Sequence, residues 1–202
     1  MKKIIIIAVM AMVAATSAAK LESIGEYDMS FFHKSYLIKM GEAPNGGYSF
    51  YVESEPRGDD DTFVAAIFNT KKNDIISQME QIKGKYQEWS KIAKDNNIVD
   101  YVKAFDMKLK GIPSFIWLND AQVAFETDYD VIFHVSSTGD CRVSISVGEI
   151  KAFNNRFITC NGMMLVFSSV EEIDNFIKIM KDGIATAQAK KEEKTKTDKL
   201  FN

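Results

Sequence analysis

The stretch Arg142-Val143-Ser144-Ile145-Ser146-Val147 alternates polar and apolar side chains at every position. Successive side chains of a β-strand point to opposite faces, so this alternation predicts a strand with one face on a core and one face in water. Such strands are typical of antiparallel sheets. The stretch therefore predicts an antiparallel sheet near the centre of the fold.

Further strand patterns lie on both sides of this stretch, each bounded by turn-forming residues. They are Tyr48–Glu53, Phe63–Phe68, Tyr101–Leu109, Ser114–Leu118, Val123–Phe125, Asp130–Val135 and Met163–Phe167. Residues 20–47 predict one early strand. Because the connections after Tyr101 are short, with turns expected at Lys110-Gly111 and Asn119-Asp120, consecutive strands are expected to pair as hairpins.

Two amphipathic helices complete the pattern. In residues 73–95, large apolar side chains recur at alternating spacings of 4 and 3, which places them on one helical stripe. They are Ile75, Met79, Ile82, Tyr86 and Trp89, with Ala93 following. Gly84 interrupts this helix and suggests a close contact or a kink. The second helix is expected over about 170–182, with a capping box at Ser169 and Glu172 and a stop at Gly183.

The predicted fold class is therefore α+β. It consists of a mainly antiparallel twisted sheet of about seven to nine strands, with the long helix on one face and the C-terminal helix closing the core. The alternative is a sheet curved into a half-barrel with the long helix in its mouth. Residues 20–189 are expected to form a single globular domain, and residues 190–202 a charged C-terminal tail.

The first residues predict export. Lys2 and Lys3 precede an uncharged apolar run, and Thr16-Ser17-Ala18-Ala19 offers a cleavage site, so residues 1–19 are interpreted as a cleaved signal peptide of bacterial type. The run is shorter than the roughly 20 residues of a membrane span, and no later apolar run is longer. The expected location is periplasmic or extracellular, with no membrane span after cleavage.

The charge balance argues against nucleic acid as a partner. Lys and Arg number 25 against 28 Asp and Glu, for a net charge of -3, which excludes a binder that works through a broad basic surface. The oligomeric state is left open by the sequence. A cofactor or metal is not expected, because none of the phosphate-loop, zinc or nucleophile-elbow motifs is present.

An exported chain can form disulfides, and Cys141 and Cys160 are the two cysteines. A hairpin centred on residues 150 and 151 would place them opposite each other. A turn at Asn154-Asn155 has better turn residues and would separate them by far more than the reach of a disulfide. A Cys141–Cys160 disulfide and two free thiols both stay open.

Four residues are candidate ligand contacts: Trp117, His134, Asp128 and Asp130. Each also has a structural interpretation, since Trp117 can belong to the core and His134 to a satisfied sheet. No residue is assigned a catalytic role. The leading hypothesis is a non-enzymatic exported module that binds a protein or small-molecule partner through its sheet or a cleft beside the long helix. The alternative is a hydrolase with a carboxylate pair. Its candidates are Asp106, Glu126, Asp128 and Asp130.

Overall fold

The computed structural model describes residues 21–43, 46–56, 63–71, 74–118, 121–148, 150–151, 159–160 and 162–201. Ten strands are present in this part: β1 (Glu22–Met29), β2 (Lys34–Glu42), β3 (Tyr48–Pro56), β4 (Phe63–Asn69), β5 (Tyr101–Leu118), β6 (Ala121–Val135), β7 (Cys141–Val147), β8 (Ile150–Lys151), β9 (Thr159–Cys160) and β10 (Met163–Phe167). The α-helices are α1 (Ile75–Asp95) and α2 (Val170–Leu200). The predicted signal peptide lies outside the described residues.

Eight strands form one antiparallel sheet in the order β1-β2-β3-β10-β7-β6-β5-β4. β3 also pairs with β4, which closes six strands, from β3 through β10 to β4, into a barrel. β2 and β10 share one edge of β3, because β2 pairs with residues 48–52 and β10 with residues 55–56. The α+β class and the antiparallel sheet are thus confirmed. The predicted twisted sheet differs in detail from the structure, because six of its strands close into a barrel.

Two long strands account for the closure. The turn predicted at Lys110-Gly111 is a bulge, so two predicted strands merge into the 18-residue β5, which pairs with the 15-residue β6. The ladder shifts register between Ala104 and Lys108 and again between Leu109 and Ile112. Bulges bend a strand and increase its twist. A long, repeatedly bulged hairpin can therefore curve until β4 meets β3, which leaves fewer open edges.

The helices cover the inner side of the sheet. In α1, Ile75, Met79 and Ile82 are fully buried, as their spacing predicts. Trp89 is only partly buried, with its ring 5.7 Å from Phe133 of β6. The Tyr86 hydroxyl donates to the backbone carbonyls of Cys141 and Ser168, 3.0 and 2.8 Å away. Burial raises the pKa of Tyr86 to about 12, so the hydroxyl keeps its proton and ties α1 to the start of β7.

The C-terminal helix is longer than predicted. It begins at the expected cap, where Ser169 Oγ accepts from the Glu172 amide at 3.1 Å, but it continues through Gly183 to Leu200. Gly183 is buried, and a Cβ there would lie 2.9 Å from Ile24 Cδ1 of β1. The glycine therefore permits close helix–strand packing instead of ending the helix. Residues 190–201, the described part of the predicted tail 190–202, are exposed, and all but the last are helical.

The two helical glycines give a matched prediction. A Cβ on Gly84 would meet no described atom within 4 Å, so the expected close contact is absent, and Gly84→Ala should stabilise the protein by about 1 kcal/mol through helix propensity. Gly183→Ala gains the same propensity but crowds Ile24, and we expect a net loss of about 1 kcal/mol. Urea unfolding of both variants measures the difference. Equal stabilisation by both would show that α2 does not pack closely on β1.

Candidate functional site

The polar face of β7 points outward from the barrel. Its inward side chains Val143, Ile145 and Val147 are buried in the core. The ladders set Ser144 between Val166 of β10 and Ile132 of β6, so these three residues share the outer face. The same register puts Ser146 beside Met164 and Arg142 beside His134. Short serines are therefore flanked on both sides by larger side chains.

This arrangement makes a groove of about 410 Å³ on the outer face. Ser144 and Ser146, which are 7% and 9% exposed, form its floor. Phe31, from the short 3-10 turn Ser30–Phe32 after β1, adds to its walls. The complete lining is Phe31, Val102, Ile132, His134, Val135, Ser136, Arg142, Ser144, Ser146, Met164 and Val166. Apolar walls with a few polar groups are typical of small-molecule sites.

Arg142 supplies the one positive charge in the lining that is independent of pH near neutrality. Its guanidinium carbon lies 4.5 Å from the centre of the Phe31 ring. Within the described part of the chain, no carboxylate forms an ion pair with this guanidinium and no acceptor hydrogen-bonds to it. Stacking on a ring occupies a face of the guanidinium and leaves its in-plane N–H donors available. Arg142 can therefore bind an anion that enters the groove.

His134 is the second polar group of the wall. Its Nε2 lies 2.9 Å from Ser144 Oγ. Burial lowers the pKa of His134, and the positive charge of Arg142 lowers it further. The imidazole is therefore neutral at neutral pH, where it joins the serine hydroxyl as a hydrogen-bonding group without adding charge.

This pKa shift predicts a pH-dependent loss of stability. A histidine whose pKa is lower in the folded state binds fewer protons there than in the unfolded chain, so the cost develops as the pH falls through the unfolded value near 6.5. Between about pH 7 and about pH 5, wild type should lose more unfolding free energy than His134→Gln, whose amide can still bond to Ser144. Denaturant melts at both pH values measure this. Equal losses in both proteins would contradict the assignment.

Among the four predicted ligand contacts, the structure brings only His134 into the groove. Asp130 lies opposite Ser146 in the ladder but forms an ion pair with Lys108 at 2.7 Å and is not part of the lining. Asp128 accepts a hydrogen bond from the Gly111 amide at 2.9 Å, so its carboxylate supports the β5 bulge. The Trp117 side chain lies outside the described residues.

The groove offers no carboxylate pair. None of the four carboxylates considered for a hydrolase contributes to its lining, which contains neither Asp nor Glu. Likewise, the described residues contain no group of three or more His, Cys, Asp or Glu side chains that could hold a metal ion. The residues that sequence reasoning passed over are Phe31, Arg142, Ser144 and Ser146. The alternation in β7 predicted that Arg142, Ser144 and Ser146 share the polar face of a strand, but it did not identify that face as a binding site.

The two cysteines are not opposite each other in the sheet. The β7–β10 ladder pairs Val147 with Met163, and the β8–β9 ladder pairs Ile150 with Cys160. This pairing is shifted by one residue from the pairing predicted for a turn at Asn154-Asn155. It is shifted by nine residues from the pairing centred on residues 150 and 151, which would have set the two cysteines opposite each other. Cys141 carries a free thiol beside the groove end, where β7 begins.

Neither α1 nor α2 is both long enough and apolar enough to cross a membrane, nor is any other helix in the described ranges. Comparison of the chain with protein-family models, with curated proteins and with solved structures finds no significant match. The chemistry of the groove is therefore the basis for assigning a function.

Proposed function

We propose that this chain is a non-enzymatic exported module that binds a small ligand in the outer groove over β7. The observation that carries the proposal is the combination of volume and lining. A volume of about 410 Å³ falls within the roughly 300–1,000 Å³ of small-molecule sites. Phe31, Met164, Val166 and Ile132 supply apolar contact, while the floor hydroxyls and Arg142 supply orientation.

The surroundings of Ser144, the serine within hydrogen-bond distance of His134, favour ligand binding over catalysis. Ser144 and His134 are within hydrogen-bond distance, as a nucleophile and its base would be. However, none of the described carboxylates hydrogen-bonds to His134 to orient it. β7 is also paired on both edges, so the backbone amides around Ser144 serve the ladders and not an oxyanion hole. A serine-directed fluorophosphonate probe should therefore leave the folded protein unlabelled.

The groove can be tested with a neutral apolar dye, N-phenyl-1-naphthylamine, whose fluorescence rises in apolar surroundings. Wild type should bind it, whereas Ser146→Phe, which fills the floor, should abolish binding. The control Gln87→Trp adds an aromatic ring on the exposed side of α1, outside the lining, and should leave binding unchanged. Phe31→Ala removes one wall from a half-exposed position and should weaken binding without unfolding the protein.

Dye binding that is unaffected by both Ser146→Phe and Phe31→Ala would overturn the proposal, because the dye would then be held elsewhere. Labelling of Ser144 by the fluorophosphonate probe would instead favour a hydrolase. In that case His134→Gln should remove the labelling, since the imidazole is the base nearest the hydroxyl.

A further inference from the structure

The charge of the groove is not balanced by its own residues. Arg142 is partly buried, and its guanidinium has no ion pair among the described residues. Two nearby carboxylates bond to other side chains. Asp140 accepts from Thr138 Oγ1 at 2.5 Å and Asp130 pairs with Lys108. A partly desolvated cation without a counter-ion favours a ligand that brings one negative charge.

The shape of the groove places that charge at one end. Arg142 and Ser146 are four residues apart on β7, which corresponds to about 13 Å at about 3.3 Å per residue. Beyond Arg142 the residues that line the walls are apolar, with Val166 and Met164 on the β10 side and Ile132 on the β6 side. Asp130 stands opposite Ser146 outside this lining, where Lys108 neutralises its charge. A ligand that fills the groove therefore has an anionic end at Arg142 and an apolar body along the strand.

The geometry points to an amphipathic monocarboxylate as the ligand, with its carboxylate on Arg142 and its apolar chain over Ser144 and Ser146. This inference rests on the proposed function of the same groove. A planar carboxylate can accept two parallel N–H bonds from one guanidinium. A phosphate monoester is a poorer match, because its second charge would face the apolar walls at Val166 and Ile132.

Displacement of N-phenyl-1-naphthylamine by decanoate and by decanol tests the inference, because these probes share a chain and differ in charge. Decanoate should bind wild type about 10- to 100-fold more tightly than decanol, as charge-assisted hydrogen bonds allow. Arg142→Gln should reduce decanoate affinity to the level of decanol and leave decanol unchanged. The control Lys178→Gln removes an exposed cation on α2 that pairs with Asp182, and should have no effect.

Equal affinities of decanoate and decanol for wild type would overturn the inference, whether or not Arg142→Gln folds. Decanoate binding that Arg142→Gln leaves unchanged would also overturn it. Arg142→Lys keeps the positive charge but loses the parallel N–H donors of the guanidinium. Its preference for decanoate over decanol should therefore lie between those of wild type and Arg142→Gln. The proposed function has its own test. It fails only if the affinity for the neutral dye is the same in wild type, Ser146→Phe and Phe31→Ala.

Discussion

Gly162→Ala is expected to be the most destabilising single substitution considered for this protein, with a loss of more than about 4 kcal/mol. Gly162 precedes β10, at the point where the ladder to β7 ends. It has a φ of +90°, and a Cβ built there would lie 2.1 Å from the backbone oxygen of Val147 and 2.3 Å from that of Gly148. Backbone atoms cannot rotate away as a side chain can, so β7 and β10 would have to separate. Those strands carry the floor and one wall of the groove.

Gly139→Ala is the matched control. Gly139 has a similar φ of +85°, but a Cβ there would meet no described atom within 4 Å. Its substitution therefore measures the cost of the left-handed backbone alone, about 1 kcal/mol. Guanidinium unfolding of the two variants should differ by several kcal/mol. Similar losses in both would mean that the close approach at Gly162 does not exist in solution.

Phe176→Ala is expected to cost about 4 kcal/mol, in the range measured for large aromatic truncations in cores. Phe176 of α2 is fully buried. Its ring centre lies 5.0 Å from that of Tyr27 in β1 and 5.3 Å from that of Phe167 in β10. Truncation would leave a cavity between three elements that are distant in sequence, and rigid packing prevents its full collapse. Thermal and denaturant melts would report the loss.

Phe31→Ala provides the comparison for this result, because Phe31 is 45% exposed and its ring contacts Phe32 and the Arg142 guanidinium. Its loss should cost less than about 1 kcal/mol, as surface substitutions usually do. If Phe176→Ala were as mild, α2 would not be part of the core, and the barrel would be stable without it.

Local periodicity correctly predicted the helices and strands in which one face packs on the core along most of the element. The stripe of α1 is buried from Ile75 to Tyr86, and the alternation in β7 directs its valines and Ile145 into the core. The other face is not in water as predicted, because Ser144 and Ser146 are buried as well. The start of α2 was also predictable, since a capping box depends only on neighbouring residues. In each case the signal and the structure it specifies lie within a few residues of each other.

The features of the fold that the sequence patterns failed to predict depend on contacts between residues far apart in the chain. The described part of residues 20–47 contains two strands where one was predicted, because the 3-10 turn Ser30–Phe32 folds β2 back on β1. The aromatic residues of this turn resembled a strand in the sequence. The helix continues past Gly183 because that residue meets Ile24 of β1. Closure of the barrel depends on bulges in β5 and on the pairing of β3 with β4. None of these contacts leaves a periodic signal in the chain.

The candidate groove was only partly predictable for the same reason. The sequence alternation predicts that Ser144 and Ser146 lie on the outer face of a strand. They form the floor of a groove because the neighbouring side chains on β6 and β10 are larger and project further from the sheet. Phe31 reaches this face from a segment distant in sequence. Arg142 is recognisable as a binding group only once the structure shows that none of the described carboxylates forms an ion pair with it.

An amide proton–nitrogen correlation spectrum recorded during titration with N-phenyl-1-naphthylamine tests the groove most directly, because it locates the bound dye on the chain. The aromatic rings should shift the amides of Arg142, Ser144 and Ser146 on β7, with those of Met164 and Val166 on β10, and leave the exposed end of α2 unperturbed. Ser146→Phe should remove these shifts. Shifts confined to α1 or α2, or the same shifts in the Ser146→Phe variant, would contradict a ligand site on the outer face of the sheet.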